Sequence, residues 1–212
     1  MLIKLSKNVK ITLSILLLFI GICLISYTYF HGIKEDVYNK KNMDLMEQKI
    51  VLEDVLEEIN EDKPVEVDPT EKKDSDNIDT YVGILEVPDV NLKRGFFREE
   101  SKYNNVKYNI TVIKGSTMPD VENGNLILAS HSGSSSISFF KNLYKLGNDA
   151  YAFVNYGGKR YTYKLVDKYE EPKDGKLTIT RNGNKSCLTL ITCTKDNNST
   201  QTIYIFELMS IN

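Results

Sequence analysis

Residues 11–30, ITLSILLLFIGICLISYTYF, run for 20 positions without a charged side chain. A helix needs about 20 such residues to cross the hydrocarbon core of a bilayer. Lys4, Lys7 and Lys10 precede the run, whereas Glu35 and Asp36 come soon after it. The positive-inside rule therefore puts the N-terminus in the cytoplasm and everything after the run outside. The run exceeds a usual signal-peptide apolar region and has no clear small-x-small cleavage site, so it reads as a retained anchor. Cys23, within it, reads as a small apolar packing residue.

This segment confines the foldable core to the chain beyond residue 30. Residues 33–60 read as a helix with Leu45, Leu52 and Ile59 at heptad spacing, interrupted at the other seam position by Gln48. That pattern fits a solvated stalk or a weak dimer seam. Residues 61–79 carry eight acids, three lysines and two prolines. Such low hydrophobicity and high charge cannot support a core, so they read as a linker. The expected organisation is a cytoplasmic N-terminus (1–10), a transmembrane anchor (11–30), an extracellular stalk helix with an acidic linker (31–79) and one folded domain (80–212). The location implied is a single-pass protein of the cell membrane, with its domain outside.

The domain reads as all-β. TYVGILEVP, YNITVIKG, NLILAS, SCLTLITC and QTIYIFEL are alternating or continuously apolar runs. AYAFVNYGGKRYTYKLVDKY reads as a hairpin, with Gly157 and Gly158 supplying the positive φ of a tight turn. Only SISFFKNLYKL has helical spacing. Many short strands with short connections indicate a barrel or a sandwich.

The charge balance excludes one class of partner. Lys plus Arg number 27 against 29 Asp plus Glu, and no basic cluster suggests nucleic acid. Of three cysteines, Cys187 and Cys193 lie six residues apart in one strand, about 20 Å. A disulfide needs Cα atoms within about 7 Å, so the two do not pair. No Cys-x-x-Cys pair or His cluster suggests a metal site.

His131 is the sole imidazole after the membrane-edge His31. It ends the apolar run NLILAS, and Cys193 ends LTLIT before a polar loop. Rigid strands present side chains at such junctions. A thiolate is a nucleophile, and a nearby imidazole can take its proton or give one to a leaving amine. Spacing alone leaves the alternative open, because a cysteine at a strand end also serves as a small buried hydrophobe.

The wording around these residues resembles the sortases. TLITC at 189–193 resembles their TLxTC signature, and LASH at 128–131 the segment ending in their histidine. MPDVENGNLILASH and YVGILEVP are similar to the stretch before that histidine and to the opening strand, in the family's order. The resemblance implies an eight-stranded sortase-type β-barrel with short helices, behind the transmembrane helix and stalk. It implies a cysteine transpeptidase that cleaves a C-terminal LPxTG-like sorting signal of surface proteins. The acyl group would pass to an amine of a peptidoglycan precursor or a pilin lysine. Cys193 carries over as nucleophile, His131 as general acid/base, and Thr192 as substrate-binding, with Ser130 and Arg181 as further substrate-side candidates. The resemblance implies no resident cofactor. Some members bind Ca²⁺ near the groove, for which Asp120 and Glu122 are the acids at hand, though two acids in a loop are more often simply solvated.

One position departs from the pattern. Where the family has an arginine on the strand after the cysteine, this chain has Gln201, whose amide donates without charge. Either Gln201 replaces the arginine, or Arg181 or Arg160 reaches in, or the domain only binds sorting signals. A hydrolytic surface protease is the competing enzyme. The 62 positions from His131 to Cys193 leave little room for a class B insertion. Asp68-Pro69 is followed by Thr70 rather than the aromatic residue of a class C lid, so class A, D or E fits best.

Overall fold

The computed structural model describes residues 7–60 and 80–212; the acidic linker expected at 61–79 lies outside the described residues. The chain divides into two compact units, one up to Tyr38 and one from Asn39 to Asn212. One helix, α1 (Lys7–Asn60), contributes to both. In the first unit its stretch Lys7–Tyr27 has a mean hydropathy of 2.5 and is long and apolar enough to cross a membrane. Thr12 and Ser14 turn their hydroxyls back onto the carbonyls of Asn8 and Lys10, 3.0 Å each, so neither needs an outside partner.

The second unit is built on an eight-stranded sheet. Its strands are β1 (Tyr81–Val87), β2 (Leu92–Phe97), β3 (Thr111–Val112), β4 (Asn125–Ala129), β5 (Tyr151–Tyr156), β6 (Lys159–Pro172), β7 (Cys187–Thr194) and β8 (Asn197–Ile211). They lie in the order β2-β1-β5-β6-β8-β7-β4-β3. Every strand pairing is antiparallel except β4 with β7. A bridge from Phe96 to Ile110, just before β3, draws the two edges together into a nearly closed barrel. The β5–β6 turn has Gly157 and Gly158 at φ 55° and 72°, the left-handed values that a two-residue hairpin turn requires.

Alternation sorts β7 and β8 into two faces. Leu188 and Leu190 face Phe206 and Tyr204 inside the barrel, with Leu126, Leu128 and Tyr163. Ile191 faces Ile203 on the outer side, where Ile127 and Ile205 complete a second apolar cluster. Cys193 follows Ile191 by two, so it falls on that outer face.

Two segments differ from the sequence pattern. The alternation at Tyr108, Ile110 and Val112 yields only the two-residue β3, and Tyr108 is exposed. Asn104 explains this. Its side chain accepts from the Val112 amide at 2.7 Å and donates to the Val112 carbonyl at 2.9 Å, doing what a neighbouring strand would do. SISFFKNLYKL forms turns and one 3₁₀ turn, Leu143–Lys145, rather than an α-helix. Its three-residue apolar spacing still buries Phe140, Leu143 and Leu146.

Within the second unit, the start of its portion of α1 packs on the barrel. Met43 and Met46 join Tyr81, Ile84, Phe97 and Tyr103 in an apolar cluster. Buried Asn39 accepts from the Tyr81 hydroxyl at 3.2 Å and from the Gly95 amide at 3.3 Å. Gly95 lies directly under the Tyr81 ring, where any Cβ would collide.

Candidate active site

Parallel pairing of β4 with β7 sets the site. The register places Ala129 opposite Ile191. The Ser130 amide then donates to the Ile191 carbonyl at 3.2 Å, and the Ser132 hydroxyl to the Cys193 carbonyl at 2.8 Å. His131 and Cys193 thus each lie two residues beyond a matched pair, on adjacent strands and on the same outward parity. Both line one cavity of about 770 Å³, walled by the serine-rich 132–135 segment, Tyr144 and Lys195. Lys195 caps the Tyr144 ring at 4.1 Å, a cation–π contact that ties together two walls of this groove.

Other candidates fall elsewhere. Thr192 and Ser130 have the opposite parity and are buried. The Thr192 hydroxyl donates to the Ser130 carbonyl at 2.8 Å, fastening the cysteine strand to the histidine strand from beneath. The Ser130 hydroxyl is buried with no hydrogen-bond partner. Arg181 lies in the segment before β7, beside Cys187 at that strand's start, donating to the carbonyls of Asn123, Asn182 and Lys185. That is one strand length, about 20 Å, from Cys193. Arg160 is held by Glu86 at 3.1 Å and stacks on Phe153. No arginine is among the residues that line the groove. Asp120 and Glu122 are exposed, and no group of three metal-ligating side chains occurs among the described residues.

Gln201 lies directly opposite Cys193 in the β7–β8 register and opposite Glu171 in the β6–β8 register. Antiparallel partners share a face, so Cys193, Gln201 and Glu171 form a row across three strands. Lys173, two residues after Glu171, continues this row, its amide bonded to the Ser199 carbonyl at 2.9 Å. Its ammonium reaches over β8 to 3.0 Å from the Cys193 sulfur and 3.1 Å from the Asn198 carbonyl. Nothing in the local sequence marks Lys173; its position comes from the pairing of two strands with β8.

The other domain thiol has a different setting. Burial pushes the Cys187 thiol up, opposed by a hydrogen bond from Arg181, and its sulfur is 3.4 Å from the Lys185 carbonyl. Cys193 alone of the two meets the groove.

A model of the Sortase domain family matches residues 85–207. The chain belongs to the sortase family. Solved sortases share its fold at low identity. Sortase A of Listeria monocytogenes superposes with a TM-score of 0.53 at 20% identity, covering 62% of this chain and 89% of that one. Sortase C1 of Streptococcus agalactiae gives 0.54 at 24%, covering 61% and 68%. A Clostridium perfringens structure described as a sortase D5 transpeptidase gives 0.53 at 18%, covering 62% and 80%. Sortases named A, C and D thus match almost equally, and the class is not resolved. No curated protein matches by sequence. By family and fold the chain is a cysteine transpeptidase.

Proposed function

We propose that this sortase is anchored by residues 11–30, with residues 1–10 in the cytoplasm and the 80–212 domain outside. There it cleaves an LPxTG-like sorting signal of surface proteins and transfers the acyl group to an amine, on a peptidoglycan precursor or a pilin lysine. The observation that carries this reading is the matched placement of His131 and Cys193 on the parallel β4–β7 pair at one groove.

In this scheme the Cys193 sulfur attacks the scissile carbonyl carbon. A C–S bond forms and the carbonyl electrons move to oxygen. The tetrahedral species collapses, the C–N bond breaks, and His131 gives its proton to the leaving amine. An incoming amine then attacks the thioester, His131 takes its proton, and the Cys193 thiolate leaves. The route calls for no cofactor. Gln201 is proposed as an uncharged donor to the oxyanion. Thr192 and Ser130 act from below, holding the two reacting strands together.

The test is incubation of the detergent-solubilised full chain with a Leu-Pro-x-Thr-Gly peptide library, with and without amine acceptors. Acceptor-dependent ligation that Cys193→Ala abolishes and His131→Ala severely reduces supports the reading. Cleavage indifferent to acceptor makes the protein a hydrolase, and binding without turnover makes it a receptor for sorting signals.

A further inference from the structure

A cation stands against the reactive sulfur, and the scheme above gives it no task. Lys173 is exposed just past the end of β6, carries no carboxylate partner among its hydrogen bonds, and spans β8 to meet Cys193. A lysine side chain loses about 2 kcal/mol of rotamer freedom when fixed, so its placement over a thiol calls for a return interaction. A sulfur bearing negative charge supplies one. We propose that Lys173 is a catalytic residue: its ammonium pairs with the Cys193 thiolate and, within the swing of its four-carbon stem, with the oxyanion formed when that sulfur adds to an acyl carbon. The inference rests on Cys193 being the nucleophile.

Charge takes a short path in this reaction. It begins on sulfur, moves to the substrate oxygen as the C–S bond forms, and returns to sulfur when the acceptor amine displaces it. A cation beside the sulfur serves all three stations without exchanging a proton, so Lys173 stays an ammonium throughout. His131 alone carries protons between leaving and entering amines. Gln201, directly opposite Cys193 on the same face, adds a neutral donor. The pair divides between two side chains what a single guanidinium would combine, charge and directed hydrogen bonding. A cation this close to the thioester must also remain protonated to avoid becoming the acceptor itself.

The experiment uses the full-length protein in detergent, with Cys193 alkylation read by peptide mapping. Two probes of similar size are compared: iodoacetate, which is anionic, and neutral iodoacetamide. In wild type, Lys173 raises the iodoacetate rate relative to iodoacetamide. Lys173→Met lowers that ratio about 3- to 4-fold, the Coulomb effect of one unit charge a few ångströms away in a watery setting. Lys173→Arg restores it, and Lys176→Met, which removes an exposed charge three residues along the chain, leaves it unchanged. Peptide ligation by Lys173→Met falls about 10-fold in kcat/KM. That is less than the ~10²–10³-fold cost of a buried oxyanion donor, because solvent screens this site.

An unchanged alkylation ratio in Lys173→Met, or ligation at the wild-type rate, overturns the proposal. So does a peptide acyl group found on Lys173 itself in the wild-type protein. The proposed function fails differently, by Cys193→Ala retaining ligation or by wild type never turning over. In that last case the alkylation ratio alone decides for or against the cation.

Discussion

The contact of α1 with the barrel makes a quantitative prediction. Met46 is 8% exposed and packs with Tyr81, Ile84 and Phe97. Truncating a buried methionine to alanine costs ~2–5 kcal/mol, and a satellite cluster at the domain's edge belongs at the lower end, ~2 kcal/mol. Asn39→Ala removes the acceptor of two hydrogen bonds, ~1 kcal/mol each, more if the Gly95 amide is left dry. For a unit of this size each kcal/mol shifts Tm by about 2–4 °C. Met46→Ala is therefore expected to lower Tm by about 4–8 °C, as is Asn39→Ala. The double variant should lose nearly the sum, with some coupling because both sites share Tyr81's surroundings. The assay is near-UV circular dichroism of the tyrosines during heating of the full-length chain in detergent, with hydrogen exchange at the Gly95 amide as a local readout. Peptide kinetics at low temperature should hardly change, since β1 and β2 lie away from β7 in the sheet. If both single variants melt within about 1 °C of wild type and Gly95 exchanges at its usual rate, this stretch of helix contributes nothing to the fold.

Buried positions set four further outcomes. Tyr163 is fully buried with no hydrogen-bond partner for its hydroxyl, so Tyr163→Phe should be neutral or stabilising by up to ~1–2 kcal/mol in a denaturation experiment. Burial, helped by Glu170, pushes Tyr204 up to about 12, and burial also raises Tyr163. Below pH 10 both states keep these phenols neutral; above it the unfolded chain ionises first, so stability should fall between about pH 10 and 12, and Tyr204→Phe should flatten that loss. In the folded protein Cys187 should resist alkylation while Cys193 reacts, and Gly95→Ala should destabilise by ~1–3 kcal/mol because its methyl must displace the Tyr81 ring.

Where the chain makes local choices, its sequence shows them. Gly157-Gly158 marks the hairpin because only glycine takes those φ values cheaply, and the unbroken LTLIT run marks β7 because both of its faces are covered. β2 escapes such reading: LKRGFF carries an arginine and a glycine in its middle. Arg94 is nevertheless buried, donating to Asn109 at 2.8 Å and stacking 3.7 Å over Phe139, and Gly95 is there to admit the Tyr81 ring. Neither reason can be seen without the partner element. The helix contact at Asn39, Met43 and Met46 is hidden likewise: the three fall at i, i+4 and i+7 on one face, but two methionines and an asparagine are too few apolar residues to mark a buried stripe.

The site divides along the same line. His131 and Cys193 are legible because each ends an apolar run, a property of its own neighbours in sequence. The charge beside Cys193 is not. Sequence reasoning seeks a replacement cation by residue type, which singles out Arg181 and Arg160, yet strand direction forbids both. Arg181 stands beside Cys187, at the far end of the strand that carries Cys193, and Arg160 is spent on Glu86 beside the β5–β6 turn. What brings Lys173 in is register. Glu171 opposite Gln201, and Gln201 opposite Cys193, fix a row whose next member on β6's side is Lys173. A one-residue slip of β6 against β8 would turn that lysine to the other face. Between Leu165 and Asp167 two residues of β6 stand against one of β8, so Leu165 meets Phe206 and Asp167 meets Ile205, while the irregularity at Thr162/Tyr163 takes up one extra residue of β8. Val166, exposed and skipped in that pairing, is the extra residue. Deleting it should make those two pairs consecutive and leave both halves of β6 in register, so Lys173 stays over Cys193 and the iodoacetate preference persists. A deletion variant that folds but loses the preference would mean that the bulge itself, rather than the flanking pairs, positions Lys173.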